Sequence, residues 1–154
     1  MNSSKPRKRA PRAARPAETM PELGALDRSN AILLDLPMPN SVNTIWRRGR
    51  HSTYLNPSYR KWMAEADAAL VAQRGNYHWP RIDGYFDAGL IMPMVKRGIF
   101  DLDNRIKATL DWAQKAGLIL DDKNANRISL EWGHVSYGTR LGVRLWMVPA
   151  EPDP

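Results

Sequence analysis

The chain has 154 residues, with 23 Lys and Arg against 16 Asp and Glu, a formal net charge of +7 and no cysteine. That length fits one domain, able to hide roughly 70% of the surface its unfolded chain exposes. The absence of thiols excludes a disulfide scaffold, a cysteine nucleophile, thiolate zinc and an iron–sulfur cluster, and no apolar run approaches the about 18 residues of a membrane-spanning helix.

Residues 1–28 read as a disordered basic tail. Lys5, Arg7, Lys8, Arg9, Arg12 and Arg15 fall there with no acidic residue among them, and Pro6, Pro11, Pro16 and Pro21 interrupt any helix. Beyond residue 16 there are 17 basic and 16 acidic residues, so the high pI belongs to the tail. Such an arm can hold phosphate backbones without reading sequence. It reads equally well as a solubilising tail, since charge runs alone do not discriminate. No apolar core follows the basic start, so no secretory signal is expected.

Residues 29–150 are expected to form the folded domain. Ala31–Leu36 reads as a mostly buried strand ended by Pro37 and Pro39, and Asn40–Asn43 as a turn. Pro57 to about Arg74 reads as a helix, with Asn56 as cap, Pro57 at its first position and Gly75 at its end. Trp62, Ala66, Ala69 and Leu70 form its core stripe. Asp83 to about Val95 reads as a strand broken at Pro93, and Lys96–Gly98 as a loop or strand edge. Leu102–Ala116 is the second helix, with Leu102, Ile106, Leu110 and Ala113 as its stripe and Gly117 beyond its end. Leu118–Leu120 is a short buried segment, and Asp121–Asn124 a turn. Ile128 to about Val135 and Leu141–Val148 read as a final pair of strands around Tyr137–Thr139. Together these predict an α+β fold: a single compact domain with a mixed sheet and two main helices, behind the basic tail.

Chemistry concentrates in one place. Asp101, Asp103, Asp111, Asp121 and Asp122 fall within 22 residues on an otherwise apolar pattern. Asp101 and Asp103 can converge if the helix starts near Asp103, whereas the intervening helix need not return Asp121 and Asp122 to them. Clustered carboxylates need a cation, and oxygen-only ligands suit Mg²⁺. Such an ion activates water against a phosphodiester. Lys107 lies one turn after Asp103 and can support charge on the phosphate. The plainer alternative is surface charge. Aspartates cap helices, Asp103–Lys107 and Asp111–Lys115 have i,i+4 spacing, and Asp121–Asp122 suits an ordinary turn.

Other signals are weaker. His51, His78 and His134 lack metal-ligand spacing. No glycine-rich phosphate loop is present. Trp46, Arg47, Arg48, Arg50 and His51 form a basic–aromatic cluster. It suits phosphate contact and stacking on an exposed base, or a solvated loop in which Trp46 anchors the core. Lys96 and Arg97 precede the acidic cluster, where they suit either a phosphate contact or a charged strand end.

Three segments resemble the RusA family of Holliday junction resolvases. Pro37-Met-Pro-Asn-Ser-Val-Asn43 is similar to the family's proline-rich turn, Asp101-Leu-Asp-Asn-Arg-Ile-Lys107 to its Asp-Leu-Asp-Asn-x-x-Lys core, and Ala116-Gly-Leu-Ile-Leu-Asp-Asp122 to its Ala-Gly-x-x-x-Asp-Asp element. The resemblance runs from about Ala31 to Val148. It implies a homodimeric, Mg²⁺-dependent endonuclease that resolves four-way junction DNA by paired nicks in recombination and repair. It also implies a cytoplasmic protein acting on nucleoid DNA. Asp101, Asp103 and Asp122 then carry the acidic catalytic and metal-binding roles, Lys107 the motif lysine's role, and Asp121 completes the pair. Lys96, Arg97, Arg47, Arg48, Arg50 and Asn43 are the candidate DNA contacts. A junction-binding protein without catalysis, or a metal-dependent flap nuclease, is the alternative. Phe100 departs from the family, which often has a basic residue before the first aspartate. It is expected to pack in the core or to stack on a base.

Overall fold

The computed structural model describes residues 30–75 and 79–151. The predicted tail, residues 1–28, and His78 lie outside the described residues. In chain order the elements are β1 (Ile32–Pro37), β2 (Trp46–Arg48), β3 (Thr53–Leu55), α1 (Pro57–Arg74), β4 (Phe86–Pro93), α2 (Asp103–Lys115), β5 (Ala125–Gly133), β6 (Ser136–Tyr137) and β7 (Arg140–Pro149).

Local chemistry sets the two helices. The Asn56 side chain accepts from the Ser58 N–H, Pro57 sits in the first turn, and Gly75 ends α1 at positive φ. Gly117, at φ 76°, lies just beyond α2, where a β-carbon would strain the backbone. The predicted stripes point inward. Trp62, Ala66, Ala69 and Leu70 are buried on α1, and Ile106, Leu110 and Ala113 on α2.

The main sheet has the order β1-β7-β4-β5, with β6 paired to β7. β7 runs antiparallel to both β1 and β4, whereas β4 and β5 are parallel. Expectation and structure part here. The last two long strands are not partners, because β4 lies between them. The tight turn at Gly138 joins β7 to the short β6 instead. Local pattern reveals a strand but not its neighbour. Parallel neighbours cannot be joined by a hairpin, so the chain crosses from β4 to β5 through α2.

Alternation puts Ile32, Leu34, Leu36, Val143, Leu145, Met147, Phe86, Ala88, Leu90 and Met92 on one face, where they share a single core with both helices. Tyr59 stacks on Trp62 at 5.8 Å, and Trp62 meets Trp112 edge-on at 6.0 Å. Their polar atoms are all partnered: Tyr59 donates to the Ala108 carbonyl, Trp62 to the Pro37 carbonyl and Trp112 to Asp67. Trp146 lies on the opposite sheet face, across from Gly89, where a β-carbon would sit 2.1 Å from its indole nitrogen. Leu120 departs from its predicted burial and is 48% exposed, although Leu118 and Ile119 are buried. No helix among the described residues is long and apolar enough to cross a membrane.

Gly89→Ala should cost about 1–3 kcal/mol through this overlap. In a Trp146→Leu background the same change should cost less than half as much in urea unfolding; an equal cost would mean the glycine serves its own backbone. A second expectation concerns pH. Burial, and behind it the charge of Asp111, push the Tyr59 hydroxyl up to about 12. A folded pKa above the unfolded value gives stability that is complete below about pH 10 and lost as pH rises from there to about 12. The stability advantage over Tyr59→Phe should shrink across that window. An advantage that stays constant would contradict it.

Candidate active site

All the carboxylates singled out above lie on the β4–α2–β5 crossover. β4 ends at Pro93, and a single 3₁₀ turn, Met94–Lys96, leads out of it. The Ile99 and Phe100 N–H groups both bond the Lys96 carbonyl, which curls the approach to Asp101. Asp101 accepts from the Asn104 side chain at 3.2 Å, and Asp103 from the Asn104 backbone at 3.0 Å. Both carboxylates are exposed beside the first turn of α2, whose orphan N–H groups favour negative charge.

After Gly117 the chain turns back and forms a parallel bridge to Ile82. Ile82 N–H bonds the Leu118 carbonyl, and Leu120 N–H bonds the Ile82 carbonyl, each at 3.0 Å. This returns Asp121 and Asp122 to the flank of α2. There Gln114 accepts from the Asp122 N–H at 3.0 Å, and Lys107 donates to Asp122 at 3.1 Å and to Asp111 at 3.3 Å. Asp121 accepts from the Lys123 N–H and caps the 3₁₀ turn Asp122–Asn124.

Lys107 is therefore the junction of the site. Neither i,i+4 pair weighed from sequence forms: Lys107 turns from Asp103 toward Asp111, and Lys115 lies over the Tyr59 ring at 5.7 Å. The ammonium's pKa is raised, chiefly by its hydrogen bond to Asp122. At Asp122, burial works to raise the pKa, but the Lys107 hydrogen bond and charge outweigh it, and the carboxyl sits below its ordinary value. The Lys107 side chain is 56% exposed, so solvent screening holds the pair to under about 1 kcal/mol.

The donors suit Mg²⁺ in kind, being hard oxygens on exposed or half-buried side chains. They are not gathered into a cage. Among the described residues no three His, Cys, Asp or Glu side chains stand close enough to ligate one ion. The helix explains the spread, since Asp103 and Asp111 are eight residues apart, about 12 Å along the axis. Mg²⁺ commonly takes one or two protein carboxylates and completes its shell with water and substrate phosphate, so this spacing is compatible with the ion.

The basic residues divide. Arg97 and Asn43 are exposed. Lys96 is half-buried, with its ammonium 5.2 Å from the centre of the Phe100 ring. Phe100 packs against the core and carries the Arg105 guanidinium 4.2 Å from its ring centre. Trp46 does not anchor the core. It is 60% exposed on a β2–β3 hairpin that also holds Arg47 and Arg48; three-residue strands leave too little periodicity for sequence to announce that hairpin.

Arg105 is the residue that sequence reasoning missed. From the first turn of α2 it reaches across Phe100 and donates to the Pro39 carbonyl. Burial lowers its pKa, against the charge of Asp101, and its Nε is buried without a partner. It thus ties the Pro37–Asn43 turn to the start of α2, where Asp101 and Asp103 lie. Its position inside an ordinary helical pattern gives no signal. Gln114 was likewise readable only as helix surface, and Asp111 only as a member of the acidic cluster.

A family model for the endodeoxyribonuclease RusA matches residues 36–145. That span includes the proline-rich turn, the whole crossover and most of β7. No curated protein matches the chain.

Arg105→Leu should loosen the loop ahead of α2. Amide exchange at Ile99 and Phe100 should speed up by roughly tenfold, as expected for losing a partly buried cation–π contact, while β4 and β7 stay protected. Unchanged exchange at those two amides would show that the loop holds itself.

Proposed function

The chain belongs to the RusA endodeoxyribonuclease family, and from that premise we propose that it is a Mg²⁺-dependent homodimeric nuclease that resolves four-way DNA junctions by paired, symmetric nicks. Family membership implies endonuclease action in Holliday junction resolution. The metal, the dimer, the pairing of the cuts and the residue roles are our reading. The observation that carries it is the Lys107–Asp122 contact. It joins the two acidic segments across 15 positions of sequence on the flank of one helix.

Mg²⁺ would be held by one or two at a time of Asp101, Asp103, Asp122 and Asp121, with water and substrate phosphate completing its shell. When bound, the ion supplies an activated water and neutralises charge on the phosphate. Lys107 stands within a turn of Asp103 and holds Asp122 in place. Its ammonium is a cation for the charge that builds on the scissile phosphate. Asn104 orients Asp101. Arg97, Asn43 and Lys96 would be the DNA contacts beside the acidic residues. A twofold dimer would present one such site to each of two strands related by the junction's pseudo-symmetry. The basic residues of 1–28 would add affinity that falls with salt. Action on nucleoid DNA in the cytoplasm is the corresponding location.

A labelled synthetic four-way junction, incubated with Mg²⁺ or with EDTA beside a matched duplex, tests this directly. The expected result is symmetric nicks on the junction alone, and only with Mg²⁺. Asp101→Asn, Asp103→Asn and Asp122→Asn should each slow cutting by at least roughly 10²-fold, with junction affinity in EDTA held within about threefold. Lys107→Ala should slow cutting more than it weakens binding. Tight junction binding with no cut under any divalent metal would make this a binding protein and leave the carboxylates as surface charge.

A further inference from the structure

The β2–β3 hairpin has no part in the chemistry of the crossover, and its composition is unusual for an idle loop. From Leu36 to Ala64 the chain has no Asp or Glu, while Arg47, Arg48, Arg50 and His51 crowd the hairpin. Among the described residues no ion pair engages those three guanidinium groups. Trp46 at 60% and Tyr54 at 43% leave large ring surfaces in water, where such rings usually supply most of a core or interface contact.

The register sorts these groups. Trp46 pairs with Leu55, Arg47 with Tyr54 and Arg48 with Thr53. Successive strand residues point to opposite faces. Trp46 and Arg48 therefore share one face, and Arg47 and Tyr54 the other. Each face carries one aromatic residue and one arginine whose β-carbons stand within about 7 Å, two positions along the strand or directly across it.

The hairpin is also held firmly. At its root Ile45 is buried, and the Asn56 backbone and side chain bond the Ile45 and Thr44 carbonyls at 2.7 Å each. At its tip Gly49 N–H bonds the Ser52 carbonyl at 2.7 Å. A β-carbon on Gly49 would stand 3.4 Å from the Tyr54 ring, so the ring lies over the turn.

We propose that this hairpin is a branch-point wedge: each face takes one unstacked nucleotide, its base on Trp46 or Tyr54 and its phosphate on Arg48 or Arg47. The inference rests on the junction-nuclease reading and adds to it the element that tells branched DNA from duplex. A ring stacks on any base, and a base is cheapest to unstack where pairing is already interrupted. Duplex arms keep their bases stacked and offer only phosphates. The arginines alone would suit an acidic protein equally, but an exposed ring paired with an arginine on each face matches the base and phosphate of a nucleotide better than a carboxylate-bearing protein surface.

The test uses the full chain in EDTA, so that binding is read without cutting. Affinities are measured for a four-way junction and its matched duplex, with 5-iodouracil at the branch for photocrosslinking. Trp46→Ala and Tyr54→Ala should each weaken junction binding roughly tenfold and duplex binding by less than about threefold. The crosslink should map to these two rings. Arg47→Ala with Arg48→Ala should weaken both DNAs and reduce the salt slope by about two. Equal losses on junction and duplex, or no loss from either aromatic variant, would overturn the wedge. So would dissociation of an oligomer on Trp46→Ala, which would make the hairpin a contact between copies. The two readings fail separately. A wild-type chain that binds the junction and never cuts it defeats the nuclease reading alone. A doubly substituted Trp46→Ala, Tyr54→Ala chain that keeps its junction preference and its cut defeats the wedge alone.

Discussion

Parallel pairing of β4 with β5 is the constraint from which the site follows. Two parallel neighbours oblige the chain to leave one end of the sheet and return to the other, and here the connection is α2 with its two flanking turns. Every acidic candidate rides on that connection: Asp101 on the way out, Asp103 and Asp111 on the helix, Asp121 and Asp122 on the way back. The sheet supplies no reactive group. It fixes where the crossover begins and ends, and the buried face of α2 fixes its rotation, so Lys107 is left on the exposed flank where Asp122 returns. The Ile82–Ile119 bridge makes that return specific, because it pins the chain two residues before Asp121.

The parts legible in the sequence were those determined within a few residues. Asn56, Pro57 and Gly75 bracket α1 by cap chemistry, and Gly117 marks the end of α2 by its left-handed backbone. The stripes on both helices were readable because a 3.6-residue period survives any tertiary context. The order of strands was not, since β7 enters the middle of the sheet by pairing with segments more than 50 and 100 positions away. Leu120 was misjudged for a related reason. It continues an apolar run, but the bridge to Ile82 turns its side chain outward.

The candidate residues could be named from the sequence, but the contacts among them could not. The resemblance to the RusA family singled out Asp101, Asp103, Lys107 and Asp122 as candidates. It could not tell that Lys107 would turn away from Asp103 and toward Asp111 and Asp122. The i,i+4 rule offers a lysine two candidate partners on one helix, and the choice was made by Asp122, 15 residues further on. Arg105 shows the same limit more sharply. Its partners are a carbonyl 66 positions earlier and a ring five residues back across a turn, and nothing in a helical pattern distinguishes it from a solvated arginine.

Arg105 also explains how a hairpin with no contact to the carboxylates could act with them. The Pro37–Asn43 turn is held from both sides. Arg105 binds the Pro39 carbonyl from α2, while Asn40 donates to Ser58, Ser58 to Asn56, and Asn56 to the Thr44 carbonyl from the start of α1. The hairpin begins at Trp46, two residues beyond Thr44, with Ile45 buried between them. A short, hydrogen-bonded segment therefore connects the hairpin to the first turn of α2. Coupling of that kind needs no conformational signal. A strand held on the hairpin as proposed would be placed relative to Asp101 and Asp103 by packing, as positioning by a scaffold requires.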